Sequence, residues 1–327
     1  MAVRGRGVAL AGLLLLALGV GMAAGPADLS MEAWLGAFRG DPGPAATILW
    51  RVRLPRVVTG ALTGGMLAVS GVVFQALLRN PLAEPYLLGV SSGAAVGAVS
   101  ALALGLSASA YFALPLAALL GALAAIAVVF EVARVRGRLD TRVLLLAGVV
   151  VSAFLSACVL LILTFVRAET LRSAFFWTLG SLSGASWGMI WAMLAYSIPA
   201  LVLVFGLSRH LNALTLGEET AAYLGTDTER VKRGAFLLAS LLAAAAVSVA
   251  GVIGFVGLVV PHAVRLSGVR DHRALTPMSF LAGGCALVLA DAVARTAAAP
   301  MEIPIGVVTA FLGVPLFLVL LRRTVRS

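Results

Sequence analysis

The chain has 327 residues, of which 61% are hydrophobic and 12% charged, with a formal net charge of +10. A soluble domain carries about 25% charged residues, so this composition excludes an ordinary soluble enzyme and points to a chain immersed in lipid. In a soluble protein the basic excess would indicate nucleic acid; here it reads as a topology signal in short loops, and no nucleic-acid partner is expected.

A hydrocarbon core of roughly 30 Å takes about 20 apolar residues per helix. Residues 8–24 form the first candidate span, although Arg4 and Arg6 ahead of an apolar run also fit a signal peptide within residues 1–25. Residues 26–55 read as an outer loop, with a short interfacial helix around 31–38. A second span follows at 57–78. Residues 85–130 are free of Asp, Glu, Lys and Arg and hold two spans with a break near 105–110. A single span covers 143–166, and 173–208 holds one span plus a short helix. Within 234–264 the Gly251 and Gly254 pair divides a full span from a shorter one. Residues 274–297 and 303–321 complete a set of ten, and the fold class is all-α, a polytopic membrane protein in one domain. With the N-terminus inside, 17 of the 24 basic residues fall on the inner side, so both termini are placed in the cytoplasm.

Missing motifs narrow the chemistry. The single lysine, Lys232, lies between Val231 and Arg233, so no Gly-Lys-Ser/Thr phosphate loop exists. Its being the only lysine is ascribed to composition. His210, His262 and His272 are scattered, and Cys158 and Cys285 lie in separate apolar runs, so neither a metal site nor a disulfide is expected. Ionisable residues sit near span ends. Glu84 lies in RNPLAEP, Asp291 and Arg295 are four apart on one helix face, and Glu302 lies in the next turn. An ion-coupled carrier keeps such groups near mid-membrane, so that class is the alternative, and a non-transport membrane scaffold is a third. The small residues Gly148, Ser152 and Ser156 recur every four positions, as do Gly60 with Gly64 and Gly93 with Gly97. Close helix packing is the default reading, and a lining of the transport path is the other one for the first stripe.

Residues 209–233, RHLNALTLGEETAAYLGTDTERVKR, carry both charge signs and exceed what a passive connector needs. Helix formers run from Glu218 to Leu224, and Gly225 is placed to end them.

Several long motifs resemble the FecCD-type permease family. They are Arg53-Leu-Pro-Arg56, GVVFQALLRNPLAEPYLLG at 71–89, VSSGA at 90–94, FWTLGSLSGASW at 176–187, LGEETAAYLG at 216–225, GFVGLVVPHAVRLSGVRDHR at 254–273 and the stretch 289–323. The resemblance covers nearly all of the chain beyond residue 50. It implies a type II ABC importer permease with ten spans in the inner membrane, paired as a homodimer or pseudo-dimer with the path at the dimer axis. It also implies two separate ATP-binding subunits that hold ATP and Mg, no cofactor on this chain, and a periplasmic or lipid-anchored binding protein. The implied cargo is an iron chelate (siderophore or haem) or cobalamin, with iron chelates favoured as the commonest. Residue by residue, Arg53, Arg56 and Arg295 match outward arginines that dock the binding protein. Leu216, Gly217, Glu218, Glu219, Ala221, Ala222, Leu224 and Gly225 match the cytoplasmic coupling helix. Arg79, Asn80, Pro81 and Glu84 match a helix-end motif in which Arg79 pairs with Glu84 or meets the ATPase. Pro261 is expected to kink its short span, and His262 to bond a backbone carbonyl.

Overall fold

The computed structural model describes residues 2–27, 29–106 and 112–326. In chain order the helices are α1 (Ala2–Ala23), α2 (Met31–Arg39), α3 (Pro44–Thr47), α4 (Leu54–Leu77), α5 (Val90–Ala103), α6 (Ala113–Val132), α7 (Thr141–Thr164), α8 (Ala168–Thr178), α9 (Trp187–Thr215), α10 (Glu218–Tyr223), α11 (Thr228–Ala250), α12 (Val256–Leu266), α13 (His272–Thr296) and α14 (Ile305–Arg326). Among the described residues seven helices are long and apolar enough to cross a membrane, namely α1, the run from α3 through α4, α6, α7, α9, α11 and α13. Three shorter apolar helices, in α5, α12 and α14, bring the set to ten. Residues 107–111 of the expected break between α5 and α6 lie outside the described residues.

Helix α4 is the centre of the bundle. It packs against α13, α11, α12 and α9, and 20 of its 24 residues are buried. A helix apolar on every side has no solvent face to keep, and its small residues let neighbours come close. A Cβ at Gly64 would overlap the Gly283 carbonyl oxygen of α13, and one at Gly71 would overlap the Gly257 carbonyl of α12. Gly93 and Gly97 of α5 stand in the same relation to Gly121 and Ala117 of α6. Backbone-to-backbone contact is thus what these glycine spacings encode.

The outer segment is more helical than its sequence reading. A π-helical stretch (Ile48–Arg53) joins α3 to α4 without a break, so one helix runs Pro44–Leu77. This places Arg51, Arg53 and Arg56 on a helix and not in a loop. The interfacial helix is present as α2, capped by Ser30 Oγ accepting from the Ala33 N–H at 3.2 Å and closed by Gly40 at φ 89°. Its Met31, Leu35 and Phe38 are exposed.

A second departure is a two-residue β-hairpin between α6 and α7, β1 (Arg134–Val135) pairing antiparallel with β2 (Arg138–Leu139). Arg136 and Gly137 turn it, both at positive φ, the conformation that tight hairpins demand. Three aspartates cap the helices that rise from this face. Asp140 accepts from the Arg142 N–H, Asp227 from Arg230 and Asp271 from Arg273, at 2.8, 3.1 and 3.0 Å.

Candidate transport and coupling sites

Two clusters of polar side chains occupy opposite ends of the bundle. At one end the last carbonyls of α1 are orphan acceptors that carry the negative end of the helix dipole. Arg53 Nη1 donates to the Met22 and Ala23 carbonyls at 2.9 and 3.1 Å. Arg295 Nη1 and Nη2 donate to Ala24 and Gly21, both at 2.9 Å. Two guanidinium groups from α13 and the run into α4 thus close α1. Beside them Asp291 bridges two arginines. Arg56 Nη2 lies 2.9 Å from its Oδ1, and Arg295 Nε lies 2.9 Å from its Oδ2. The other edge of Arg56 meets Glu302 through two bonds of 2.9 Å. A planar guanidinium matches both carboxylates edge-on.

This geometry revises one expectation. The α13 pair of Asp291 and Arg295 forms as its spacing implied. Arg53, Arg56 and Arg295, however, are at most 7% exposed, and each guanidinium is engaged inside the chain. They do not stand outward as free docking charges. Glu302, whose side chain is 38% exposed, is the member of the network that reaches the surface. It opens on a cavity of about 390 Å³ bordered by Arg56, Ser173, Trp177, Ser181 and Ser183.

At the other end, α10 projects between α9 and α11. Gly217 at φ 115° ends the chain run from α9, and Gly225 at φ 79° ends α10, with the Thr226 N–H donating to the Ala221 carbonyl at 3.0 Å. The Gly225 side has open space, so its backbone conformation alone calls for glycine. The root of α10 is fastened. Lys232 Nζ lies 2.9 Å from Glu218 and 2.7 Å from Glu229, and donates to the Leu139 carbonyl of the hairpin at 2.8 Å. Glu229 accepts from the Leu139 N–H at 3.0 Å. Ala221 is buried, whereas Glu219, Ala222, Leu224 and Gly225 are exposed and Tyr223 is 92% exposed. Leu216 is exposed as well. The single lysine, ascribed above to composition, is the knot that ties α10, α11 and the hairpin together. Its flanking Glu at 229 was the available signal, one turn before it on α11.

In the helix-end motif one of the two readings of Arg79, the pairing with Glu84, does not form. Arg79 stands at φ 47°; its guanidinium lies beside Gly217, where a Cβ would be 3.7 Å from Nη1. Asn80 turns the chain by accepting from the Leu82 N–H at 2.9 Å, one residue beyond Pro81. Glu84 instead accepts from the Phe255 N–H at 2.7 Å. Phe255 is the residue just before α12, so the break at residues 251–255, expected at Gly251 and Gly254, is held from outside. Pro261 lies inside α12, and His262 is buried.

In the small-residue stripe of α7, Gly148 is a packing contact. A Cβ there would overlap the Leu87 carbonyl and come within 2.9 Å of Leu88 Cα. Ser152 is half-buried near Gly89 and Ser156 is exposed. A larger cavity than the one beside Glu302 lies elsewhere, an apolar cleft of about 570 Å³ between α1, α12, α13 and α14, walled by Phe255, Val259, Val260, Leu312 and Leu316. Among the described residues no group of three His, Cys, Asp or Glu could hold a metal.

Residues 13–323 match the FecCD transport family. The chain belongs to that family. Among its relatives, the cobalamin import system permease protein BtuC of Halobacterium salinarum is 46% identical over 289 residues, 88% of this chain and 77% of that one. The vitamin B12 import system permease protein BtuC of Salmonella paratyphi A is 43% identical over 314 residues, 96% of this chain and 94% of that one. A solved metal-chelate-type ABC transporter in an inward-facing conformation superposes with a TM-score of 0.86 at 31% identity, covering 98% of this chain and 99% of that one. PsaBC from Streptococcus pneumoniae, at 15% identity and a TM-score of 0.57, shares the fold alone. This FecCD chain is therefore a multi-pass transport subunit with a type II ABC importer permease architecture.

Proposed function

We propose that this chain is the membrane subunit of an ATP-driven importer that takes up cobalamin, working as a homodimer in the inner membrane with its path at the dimer axis. The observation that carries the reading is α10, a six-residue helix fastened at its root by Lys232 and bare at Tyr223 and Leu224. Such a projection fits the groove of a partner that supplies motion. Leu216, Gly217, Glu218, Glu219, Ala221, Ala222, Leu224 and Gly225 are assigned to that contact. Two ATPase subunits then bind ATP and Mg, and this chain binds no cofactor. The face carrying α10, with both termini, is cytoplasmic. Helix α1 is assigned as a retained first span, supported by its closure through Arg53 and Arg295.

A separate binding protein, periplasmic or lipid-anchored, is assigned to the opposite surface. Arg53, Arg56 and Arg295 serve docking there by holding that surface in shape, while Glu302 offers the charge that steers contact. Cobalamin is preferred to ferric siderophores and haem because the relatives at 46% and 43% identity are cobalamin permeases. The deciding experiment is reconstitution in liposomes with the ATPase and binding protein. Cobalamin uptake that needs ATP, and exceeds siderophore and haem uptake, is the expected result. Uptake by the chain alone on an ion gradient would return the secondary-carrier reading.

A further inference from the structure

The loop between α4 and α5 is built to grip a broken helix. Helix α11 stops at Ala250, and α12 restarts at Val256 after five non-helical residues. Phe255 adopts the left-handed conformation at φ 69°, and no side chain of its own segment caps α12. The first N–H groups of α12 thus present an uncapped positive helix end. Glu84 supplies the cap from 171 residues away, accepting from the Phe255 N–H at 2.7 Å. Tyr86 Oη accepts from the Ile253 N–H at 3.1 Å. Gln75 Nε2 donates to the carbonyls of Gly257, Leu258 and Ala83, each at 3.3 Å. The Pro85 ring closes on Gly257, where a Cβ would lie 2.9 Å from Pro85 Cδ.

The grip connects two surfaces. Upstream, Arg79 lies beside Gly217 at the entry to α10. Between Arg79 and Glu84 the chain is stiff, because the Asn80 N–H donates to Gln75 at 3.1 Å and the Ala83 N–H to Asn80 at 3.1 Å. Downstream, Phe255 packs on Gly313 of α14, where a Cβ would lie 2.5 Å from Phe255 Cβ. Phe255, Val256, Val259 and Val260 also form one wall of the 570 Å³ apolar cleft. A displacement of α10 therefore has a route to α14, through Arg79 beside Gly217, the loop, Glu84 and Phe255.

We infer that Glu84 is a positioning residue for transport, whose bond to the Phe255 N–H passes motion of α10 to α12 and α14. This rests on α10 being the ATPase contact. It differs from a passive cap because the bond joins the two elements that must move together. Losing the acceptor leaves a half-buried N–H unpaired and frees α12 to lag behind the loop.

The test compares Glu84→Met, which keeps length without a good acceptor, with Glu84→Gln, which keeps the carbonyl oxygen. Each is assembled with the ATPase and binding protein in liposomes, and cobalamin taken up per ATP hydrolysed is measured. The expected result for Glu84→Met is a loss of about tenfold in that ratio with hydrolysis retained, and for Glu84→Gln a loss under about threefold. An unchanged ratio in Glu84→Met overturns the proposal, and so does an equal fall of ratio and hydrolysis in both variants. If Glu84→Met does not assemble, Arg79→Ala decides from the other end of the route: a lowered ratio supports it and an unchanged ratio sinks it. Gly225→Val is the control for the underlying reading. If that variant uncouples while Glu84→Met does not, only the present inference fails; if neither uncouples, the assignment of α10 fails.

Discussion

The two polar ends of the bundle carry similar residues and use them in opposite ways. Around Asp291 every charged side chain but Glu302 is buried, and Arg56, Arg295 and Asp291 satisfy one another and the end of α1. Around Lys232 the ion pairs lie at the root of α10, and the tip is left bare, with Tyr223 at 92% exposure. The first arrangement spends its charges on holding helices in place. The second spends them on holding a surface out. Both read as arginine- and glutamate-bearing segments, so charge by itself does not separate a frame from a contact. What separates them is where the apolar residues point once the ions are paired.

The contrast is sharpest in Asp291→Ala. It leaves Arg56 and Arg295 facing each other in a buried site, and stability should fall by about 3–5 kcal/mol. Thermal unfolding in detergent reads this, and a change below about 1 kcal/mol would mean that the network is solvated. Gly225→Val forces a β-branched residue into the left-handed region, at a cost of about 1–2 kcal/mol. Its main effect should be on function, with ATP hydrolysis continuing while uptake stops. Asp271→Ala removes a cap and should cost about 1 kcal/mol. The side-chain amide of Asn212 and the Arg273 N–H hold the Asp271 carboxyl below its usual range. A lowered carboxylate stabilises fully above its unfolded value and loses that contribution as pH falls through the folded one. The difference between Asp271→Ala and wild type should therefore be constant above about pH 5 and shrink in stronger acid. Tyr223→Asp should leave stability within about 0.5 kcal/mol and still abolish co-purification with the ATPase. If Tyr223→Asp instead unfolds the protein, the bare tip of α10 is not bare in the membrane.

The span count was legible because lipid demands runs of apolar residues, and the small-residue spacings marked helices that pack closely without naming their partners. The stop of α10 was legible at Gly225, since the left-handed turn needs glycine there. The break before α12 was legible from Gly251 and Gly254. Long-range pairing was not. Nothing local in RNPLAEP says that Glu84 meets Phe255 rather than Arg79, because the choice depends on how α11 ends. Arg56 looked like a free charge because its partners lie 235 and 246 positions away. The hairpin at residues 134–139 hid in a run of arginines that charge counting treated only as a topology signal.

The central claim is that α10 faces the cytoplasm and delivers a partner's motion to the spans. The most direct measurement is a disulfide cross-link from Tyr223→Cys, with Cys158 and Cys285 replaced by Ser, to a cysteine in the ATPase groove. The account predicts a cross-linked product whose yield changes with ATP, and no labelling of Tyr223→Cys by an impermeant thiol reagent applied outside intact cells. Labelling from outside, with no cross-link under any nucleotide condition, would contradict it.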